Sequence, residues 1–152
     1  LRAQSKAQKK GYNQVLYLDA VHRRFVEEVG TSNIFFKING KVVTPPLGGT
    51  ILPGVTRDSV IQILKHWKIP VAEEPIDINE VVAASKRGEL EEVFGTGTAA
   101  VVSPIGVLSY KGHEIRVNDE QTGPLAQRLY DFVTKLQRGQ IDDPFGWREI
   151  VD

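Results

Sequence analysis

The alternation of apolar and polar residues predicts short strands joined by tight turns. Ile34, Phe36 and Ile38 occupy every second position, a period typical of a β-strand. Asn39-Gly40 follows and leads into residues 41–44, and this dipeptide between two such runs is a strong signal for a hairpin. Further hairpins are expected at three places: 15–18 with 24–29, 93–94 with 99–102 across the glycine-rich turn 95–97, and 109–110 with 114–117 across Lys111-Gly112.

Four other segments are predicted to be helices. The segment 78–87 follows Asp77, which together with Glu80 matches a capping box. The segment 125–136 carries its apolar residues on one face and ends at Gly139. The four segments are residues 2–10, 57–67, 78–87 and 125–136, with one more short strand at 71–76. The elements together predict a mixed α/β domain that is rich in hairpins and lacks regular βαβ alternation.

The segment LPGVTRDSV, residues 52–60, is predicted to form a tight turn that leads directly into a helix. Pro53 and Gly54 favour the chain reversal, and Thr56 is expected to be the N-cap of the helix. The unpaired N–H groups and the positive end of the helix dipole are suited to a phosphate or a carboxylate. Considered alone, the segment is better explained as an ordinary capped surface helix, and two further loops change that balance.

The loop EEVGTSN, residues 27–33, places two carboxylates before a turn. Gly30 lets the backbone reverse, and Thr31 and its neighbours add short polar groups. If Glu28 points inward, its carboxylate is of the kind that holds a ring nitrogen protonated through a charge-assisted hydrogen bond. The alternative is that Glu27 and Glu28 are two solvated strand residues, and local composition alone favours that alternative.

The loop FGTGTAAVV, residues 94–102, has two glycines at alternate positions. This spacing predicts a turn whose backbone N–H groups point toward an anion, to which Thr96 and Thr98 add hydroxyl groups. No lysine follows as a phosphate-binding loop requires, and no strand–GxGxxG–helix unit is present. A nucleotide is therefore disfavoured, whereas a smaller phosphate or carboxylate fits.

Composition narrows the class of protein further. The 152 residues are enough for one domain, and lysine plus arginine equal aspartate plus glutamate at 19 each, so nothing indicates a nucleic-acid or membrane surface. The absence of cysteine excludes disulfides and thiolate chemistry. His22, His66 and His113 lack metal-ligand spacing, so no metal is expected. No secretory signal is visible, and a cytoplasmic location is the default expectation.

Three motifs together resemble the branched-chain amino-acid aminotransferases: EEVGTSNIFF, TPPLGGTILPGVTRDSV and VFGTGTAAVVSPIG. These are pyridoxal-phosphate enzymes of fold type IV, a group that also contains D-amino-acid aminotransferases and aminodeoxychorismate lyases. The resemblance covers essentially the whole chain. It implies that residues 1–152 are the larger, C-terminal cofactor-binding domain, a hairpin-rich pseudo-barrel with flanking helices, like that of D-amino-acid aminotransferases.

The resemblance also implies roles for individual residues. Glu28 pairs with the pyridine nitrogen of the cofactor, Leu52 packs on its ring, and Thr31 lies near the cofactor or the substrate side chain. The backbone N–H groups of Val55 and Thr56 bind the phosphate, and Thr98 adds a contact. The implied cofactor-binding set is Glu28, Thr31, Leu52, Gly54, Val55, Thr56 and Thr98, and the implied substrate-binding set is Gly97, Thr98 and Ala99.

One element of the family pattern is missing from the chain. The Schiff-base lysine of the family lies in a glycine-rich segment shortly before the opening helix, and Lys6, Lys9 and Lys10 do not match that context. We therefore expect the chain to be part of a longer protein, with the lysine and a small N-terminal domain upstream of Leu1. The chain alone is expected to be inactive.

The function implied for the full-length protein is transamination of leucine, isoleucine and valine with 2-oxoglutarate in branched-chain amino-acid metabolism. A homodimer is expected from the family. The nearest alternative is another fold-type-IV enzyme that acts on D-amino acids or aminodeoxychorismate, and the segments TPPL and GTGTAA argue against it. An alternative of another class is a non-catalytic module that keeps the fold.

Overall fold

A computed structural model describes residues 2–151 of the chain, which form four α-helices and nine strands. The helices are α1 (Arg2–Lys9), α2 (Val55–His66), α3 (Ile78–Lys86) and α4 (Pro124–Gln137). The strands are β1 (Leu16–Leu18), β2 (Val26–Val29), β3 (Asn33–Ile38), β4 (Lys41–Thr44), β5 (Val71–Glu73), β6 (Leu90–Gly97), β7 (Val101–Pro104), β8 (Val107–Tyr110) and β9 (His113–Arg116). The predicted mixed α/β, hairpin-rich class is confirmed.

A five-stranded sheet with the order β5-β4-β3-β6-β7 forms the centre of the fold. All pairs in it are antiparallel except β4 with β5. The strands β1 and β2 form one separate ribbon, and β8 and β9 form another. The predicted hairpin at Asn39-Gly40 is confirmed, since both residues have positive φ angles of 50° and 78°.

Both faces of the five-stranded sheet are covered, because its central strands carry large apolar residues on both sides. Phe35 of β3 stacks on Phe94 of β6, and both pack against α2 and α4. Ile34 and Phe36 point to the opposite face, where α3 and the two ribbons cover them. Strand β3 is thus buried on both faces for most of its length, which fixes its register.

The glycine-rich segment 95–97 is not a turn, which corrects the prediction. Strand β6 pairs with β3 on one side and β7 on the other, so it extends to Gly97, and the turn lies at residues 98–100. The glycines instead allow close packing. A Cβ at Gly95 would lie 3.3 Å from Val29 Cγ1, and one at Gly97 would lie 3.2 Å from Ser32 Oγ.

Helix α4 is capped by a buried carboxylate from the sheet. Glu92 is 3% exposed, and its two oxygens accept from the N–H groups of Leu125 and Ala126, each at 2.9 Å. The carboxylate lies so close to Gly123, the N-cap, that a Cβ there would collide with it. Glu92 therefore serves the helix start, where a negative charge is favoured by the helix dipole.

The predicted capping box of α3 is only half present. Asp77 is the N-cap, and its side chain accepts from Asn79 N at 2.9 Å. Glu80 does not return a hydrogen bond to the cap. Its carboxylate accepts from Arg87 at 2.7 Å, because the last turn of the helix brings that guanidinium within reach.

Among residues 2–151, no helix combines the length and the apolar character needed to cross a bilayer.

The turn between β1 and β2 is organised by Asp19. Its Oδ1 accepts from the N–H groups of Arg24 at 2.8 Å and Phe25 at 2.7 Å, and its Oδ2 accepts from His22 N at 2.5 Å. These backbone hydrogen bonds, that of Arg24 first, hold the pKa of Asp19 well below its ordinary value of 3.8. The turn that begins β2 therefore depends on an ionised carboxylate.

Asp19→Asn is expected to lower the free energy of unfolding at pH 7, because a neutral amide binds these N–H groups more weakly than a carboxylate. Since folding lowers the pKa of Asp19, its stabilising contribution is complete above 3.8 and disappears as the pH falls through the lowered pKa. The difference in stability between the two proteins should therefore shrink as the pH falls below about 4. Urea unfolding over a series of pH values measures it.

Asp142→Asn is the control, because Asp142 is exposed in the C-terminal segment. This variant should match the unmodified protein at every pH. A stability difference for Asp19→Asn that does not change with pH would contradict the role of the ionised carboxylate.

Candidate functional site

Helix α2 begins with backbone N–H groups that donate no hydrogen bond to any described residue. Its N-cap is Gly54, whose carbonyl accepts from Asp58 N at 3.0 Å. The prediction of Thr56 as N-cap is therefore wrong, because the helix starts two residues earlier and Thr56 lies in its first turn. Within residues 2–151, the amides of Val55, Thr56 and Arg57 have no hydrogen-bond acceptor. Val55 and Thr56 thus present free donors, as a phosphate-binding helix start requires.

The starts of α2 and α4 differ in one respect that matters for function. Both helices have glycine as the N-cap, Gly54 and Gly123. At α4 the first amides are satisfied internally by the buried carboxylate of Glu92. At α2 no carboxylate takes this place among the described residues. The dipole of α2 therefore favours an anion that comes from outside these residues.

Glu28 contacts the loop that precedes α2. Its Oε1 accepts from the backbone N–H of Leu52 at 2.9 Å and from Asn33 Nδ2 at 3.3 Å. No donor from residues 2–151 reaches Oε2. The carboxylate is half-buried and lies beside Leu52, three residues before Val55. The structure therefore brings Glu28, Leu52 and the start of α2 together.

Gly54 is required at its position because another side chain approaches it closely. A Cβ at Gly54 would lie 2.2 Å from Asn33 Oδ1, a distance that real Cβ atoms do not tolerate. Its φ of −67° is ordinary for any residue. The requirement for glycine is thus a matter of space and not of backbone conformation.

Arg57 holds the other side of the same loop. Its guanidinium Nη2 donates to Pro45 O at 2.8 Å and to Glu73 Oε1 at 2.6 Å. The residue is only 3% exposed, and Glu73 keeps part of its side chain in solvent. The loop is therefore fixed at its first residue by Arg57 and near its end by Glu28.

A cleft of about 1100 Å³ is lined in part by residues of the β2–β3 turn. Thr31, Gly97, Thr98 and Ala99 line it, together with residues of α1 and of the β8–β9 ribbon. Glu28 and residues 52–56 do not line this cleft. A separate depression of about 300 Å³ lies beside the start of α2, lined by Leu47, Pro53, Gly54, Val55, Arg57 and Asp58.

The two groups of predicted site residues are joined through Ser32 and Asn33, where the turn leads into β3. Asn33 is the register partner of Thr96 and contacts Leu52, and Ser32 packs against Gly97. The two groups are thus neighbours at one end of the sheet. The first contains Glu28, Leu52, Gly54, Val55 and Thr56, and the second contains Thr31, Gly97, Thr98 and Ala99.

The side chains at this end leave apolar surface in solvent. Leu52 is 68% exposed and Val55 is 84% exposed, although the backbone N–H of Leu52 binds a carboxylate and that of Val55 is a free donor. An apolar surface between an anion site and a carboxylate is suited to a flat, charged heterocycle. The three histidines are not part of it, and within the described residues no group of three or more acidic, histidine or cysteine residues could hold a metal ion.

Comparison with known proteins identifies the family of this chain. The family model "Amino-transferase class IV" matches residues 1–107. The chain belongs to the class IV aminotransferase family. "Branched-chain-amino-acid aminotransferase 2" of Bacillus subtilis is 53% identical over 151 residues, and "Branched-chain-amino-acid transaminase 1" of the same organism is 56% identical over 147 residues.

Coverage of these relatives is partial. The alignments include 99% and 97% of this chain but only 42% and 41% of the two relatives, so the chain spans about two fifths of their length. A solved aminotransferase from Brucella abortus, bound to the co-factor PLP, superposes with a TM-score of 0.72 at 28% identity. That match covers 90% of this chain and 44% of the other. The resemblance to branched-chain aminotransferases is confirmed by the two Bacillus relatives.

Two residues that this member of the class IV aminotransferase family uses to hold the loop were not among the predicted site residues. Asn33 connects Glu28 to Leu52, and Arg57 anchors the loop before α2. The sequence contains a signal for Asn33, since an amide comes directly before the apolar residues 34–36 of β3. Arg57 has no comparable signal, because a charged residue in the first turn of a helix is usually solvated.

Gly54→Ala is expected to destabilise the class IV aminotransferase domain by about 1–3 kcal/mol, because Asn33 must move to make space for the new Cβ. Chemical denaturation measures the loss. Gly49→Ala is the matched control in the same loop, where no atom lies within 4 Å of the new Cβ. Equal stability of the two variants would show that the close approach of Asn33 to Gly54 is not required.

Proposed function

We propose that the full-length protein is a pyridoxal-phosphate aminotransferase that exchanges amino groups between branched-chain L-amino acids and 2-oxoglutarate. In this proposal residues 1–152 form its larger, cofactor-binding domain. The names of the Bacillus relatives support the substrate class, and the PLP-bound relative from Brucella abortus supports the cofactor. The partial coverage of these relatives supports a domain of a larger protein.

The observation that carries the proposal is the uncapped start of α2 beside Glu28. The free amides of Val55 and Thr56 suit a phosphate, and the open Oε2 of Glu28 suits a protonated ring nitrogen. Leu52 connects the two, since its N–H binds Glu28 and its exposed side chain offers an apolar surface. A phosphorylated pyridine matches all three features, because it combines a phosphate, a ring nitrogen that can carry a proton and an apolar ring face.

The residues of this chain have distinct tasks in the proposed reaction. Glu28 accepts a hydrogen bond from the pyridine N–H and keeps the ring nitrogen protonated. The amides of Val55 and Thr56, which follow the N-cap Gly54, bind the phosphate together with a hydroxyl from Thr98. Pyridoxal phosphate, when bound, supplies the electron-withdrawing ring that stabilises negative charge on the substrate during amino transfer.

The substrate is proposed to occupy the larger cleft. The backbone of residues 97–99 binds the substrate carboxylate, and Thr31 lies near its side chain or the cofactor. Lys6 of α1 and Lys10, which follows the end of that helix, border this cleft. The family resemblance places the Schiff-base lysine before Leu1, so replacement of both lysines by arginine should leave transamination intact. A homodimer and a cytoplasmic location remain predictions.

Spectral titration of the full-length protein tests the function. Leucine, isoleucine and valine should each change the absorption of the bound cofactor, and 2-oxoglutarate should restore it. Response to D-alanine instead of the three branched-chain substrates would contradict the substrate class and favour a D-amino-acid aminotransferase. A protein that binds no cofactor would contradict the function as a whole.

Val55→Pro tests the phosphate site by removal of one backbone N–H group. Proline lacks the N–H group and is tolerated at the first position of a helix, as Pro124 shows at α4. The preceding Gly54, with φ −67° and ψ 135°, already has the conformation that proline requires of its neighbour. Loss of one charge-assisted hydrogen bond should weaken cofactor binding about 10- to 100-fold.

Val55→Ala is the matched control, because it shortens the same side chain and keeps the N–H group. Equilibrium dialysis of the cofactor and thermal unfolding of the cofactor-free protein are measured for both variants. Unchanged affinity in a correctly folded Val55→Pro variant would rule out the Val55 amide as a phosphate ligand.

A further inference from the structure

Asn33 lies where the proposed cofactor partner Glu28 meets the loop before α2. It is the first residue of β3 and is only 6% exposed. The rest of the buried part of β3 is apolar, so an amide at this point needs hydrogen-bond partners. Its partners all belong to the candidate cofactor site.

The side chain of Asn33 closes a triangle of hydrogen bonds. Its Nδ2 donates to Glu28 Oε1 at 3.3 Å and to Leu52 O at 2.9 Å. Leu52 N donates in turn to the same Glu28 oxygen at 2.9 Å. Both polar groups of the Leu52 backbone are thus held, and the position of the carboxylate relative to the loop is determined.

The triangle requires an amide of this size. Aspartate has no N–H donor and would place a second negative charge beside Glu28. Leucine would remove the donor to Glu28 and leave the carbonyl of Leu52 with only the local hydrogen bond from Gly54 N at 2.8 Å. A longer side chain is excluded by Gly54, since its backbone already lies against Asn33 Oδ1. Shape and donor pattern together select asparagine.

We propose that Asn33 is the positioning residue that sets the distance between the ring-nitrogen partner Glu28 and the phosphate-binding start of α2. Because both donors use Oε1, the other oxygen of Glu28 is directed to the heterocycle. The inference rests on the proposed function, since it assigns Asn33 a task within that site. Asn33 itself does not touch the reacting atoms.

A neighbouring contact on the same loop provides a comparison. Glu27 accepts a hydrogen bond from the hydroxyl of Thr50 at 2.9 Å. Glu27 lies one residue before Glu28 in β2, and Thr50 lies two residues before Leu52 in the loop. This contact also joins β2 to the loop, but it is exposed and does not involve Glu28. Thr50→Val therefore removes a tether of similar kind without a change at the proposed ring-nitrogen partner.

The test compares Asn33→Ala with Thr50→Val in the full-length protein. The first readout is hydrogen exchange at the Leu52 amide in the absence of cofactor. The second is the ¹⁵N chemical shift of cofactor labelled at the pyridine nitrogen, which reports whether that nitrogen carries a proton. The third is the separate measurement of kcat and KM.

For Asn33→Ala we expect faster exchange at Leu52, a ¹⁵N shift toward the unprotonated ring and a kcat reduced about 10- to 100-fold, with a smaller change in KM. Thr50→Val should leave the ¹⁵N shift and kcat unchanged. Asn33→Ser, which keeps one donor, should give intermediate values and serves if the alanine variant does not fold.

Two results would overturn the inference: an unchanged ¹⁵N shift in folded Asn33 variants, or equal effects of Thr50→Val and Asn33→Ala on that shift. Failure of the proposed function has a different signature, because the unmodified protein would then bind no labelled cofactor. Exchange at Leu52 decides in that case: acceleration in Asn33→Ala supports the positioning role within the loop, and unchanged exchange refutes it.

Discussion

The hydrogen bonds that Glu28 Oε1 accepts from Leu52 N and Asn33 Nδ2 are the interaction on which the site depends. Between β4 and α2 the chain has ten residues without a regular element, so its backbone donors are not ordered by a helix or a sheet. Side chains from β2 and β3 order the end of this loop instead. Without these side chains, the distance between the free amides of α2 and the carboxylate of Glu28 would not be fixed.

The N-terminal amides of α2 and α4 are satisfied in different ways, which corresponds to a structural role for one helix start and a proposed binding role for the other. Glu92 closes the start of α4 with a buried carboxylate, and that helix is part of the core. The start of α2 is left open, although its own core face is equally buried. Among the described residues of this chain, one helix start is thus satisfied from within and another is able to accept an anion.

The sequence predicted the elements that depend on neighbouring residues. The hairpin at Asn39-Gly40 and the cap of α3 by Asp77 are confirmed, because turn and cap preferences act over two to four residues. The glycines at 95 and 97 were misinterpreted as a turn. Their role depends on Val29 and Ser32, which pack on β6 from more than sixty residues away.

The sequence by itself determined the mixed class, the family motifs and the residue types that a phosphorylated heterocycle requires. Only the tertiary structure decided that Asn33 joins Glu28 to Leu52 and that Arg57 is buried against Pro45 and Glu73. The physical reason is that these are hydrogen bonds between distant segments. Their partners are chosen by the packing of the sheet and helices, and no local pattern of residues encodes that choice.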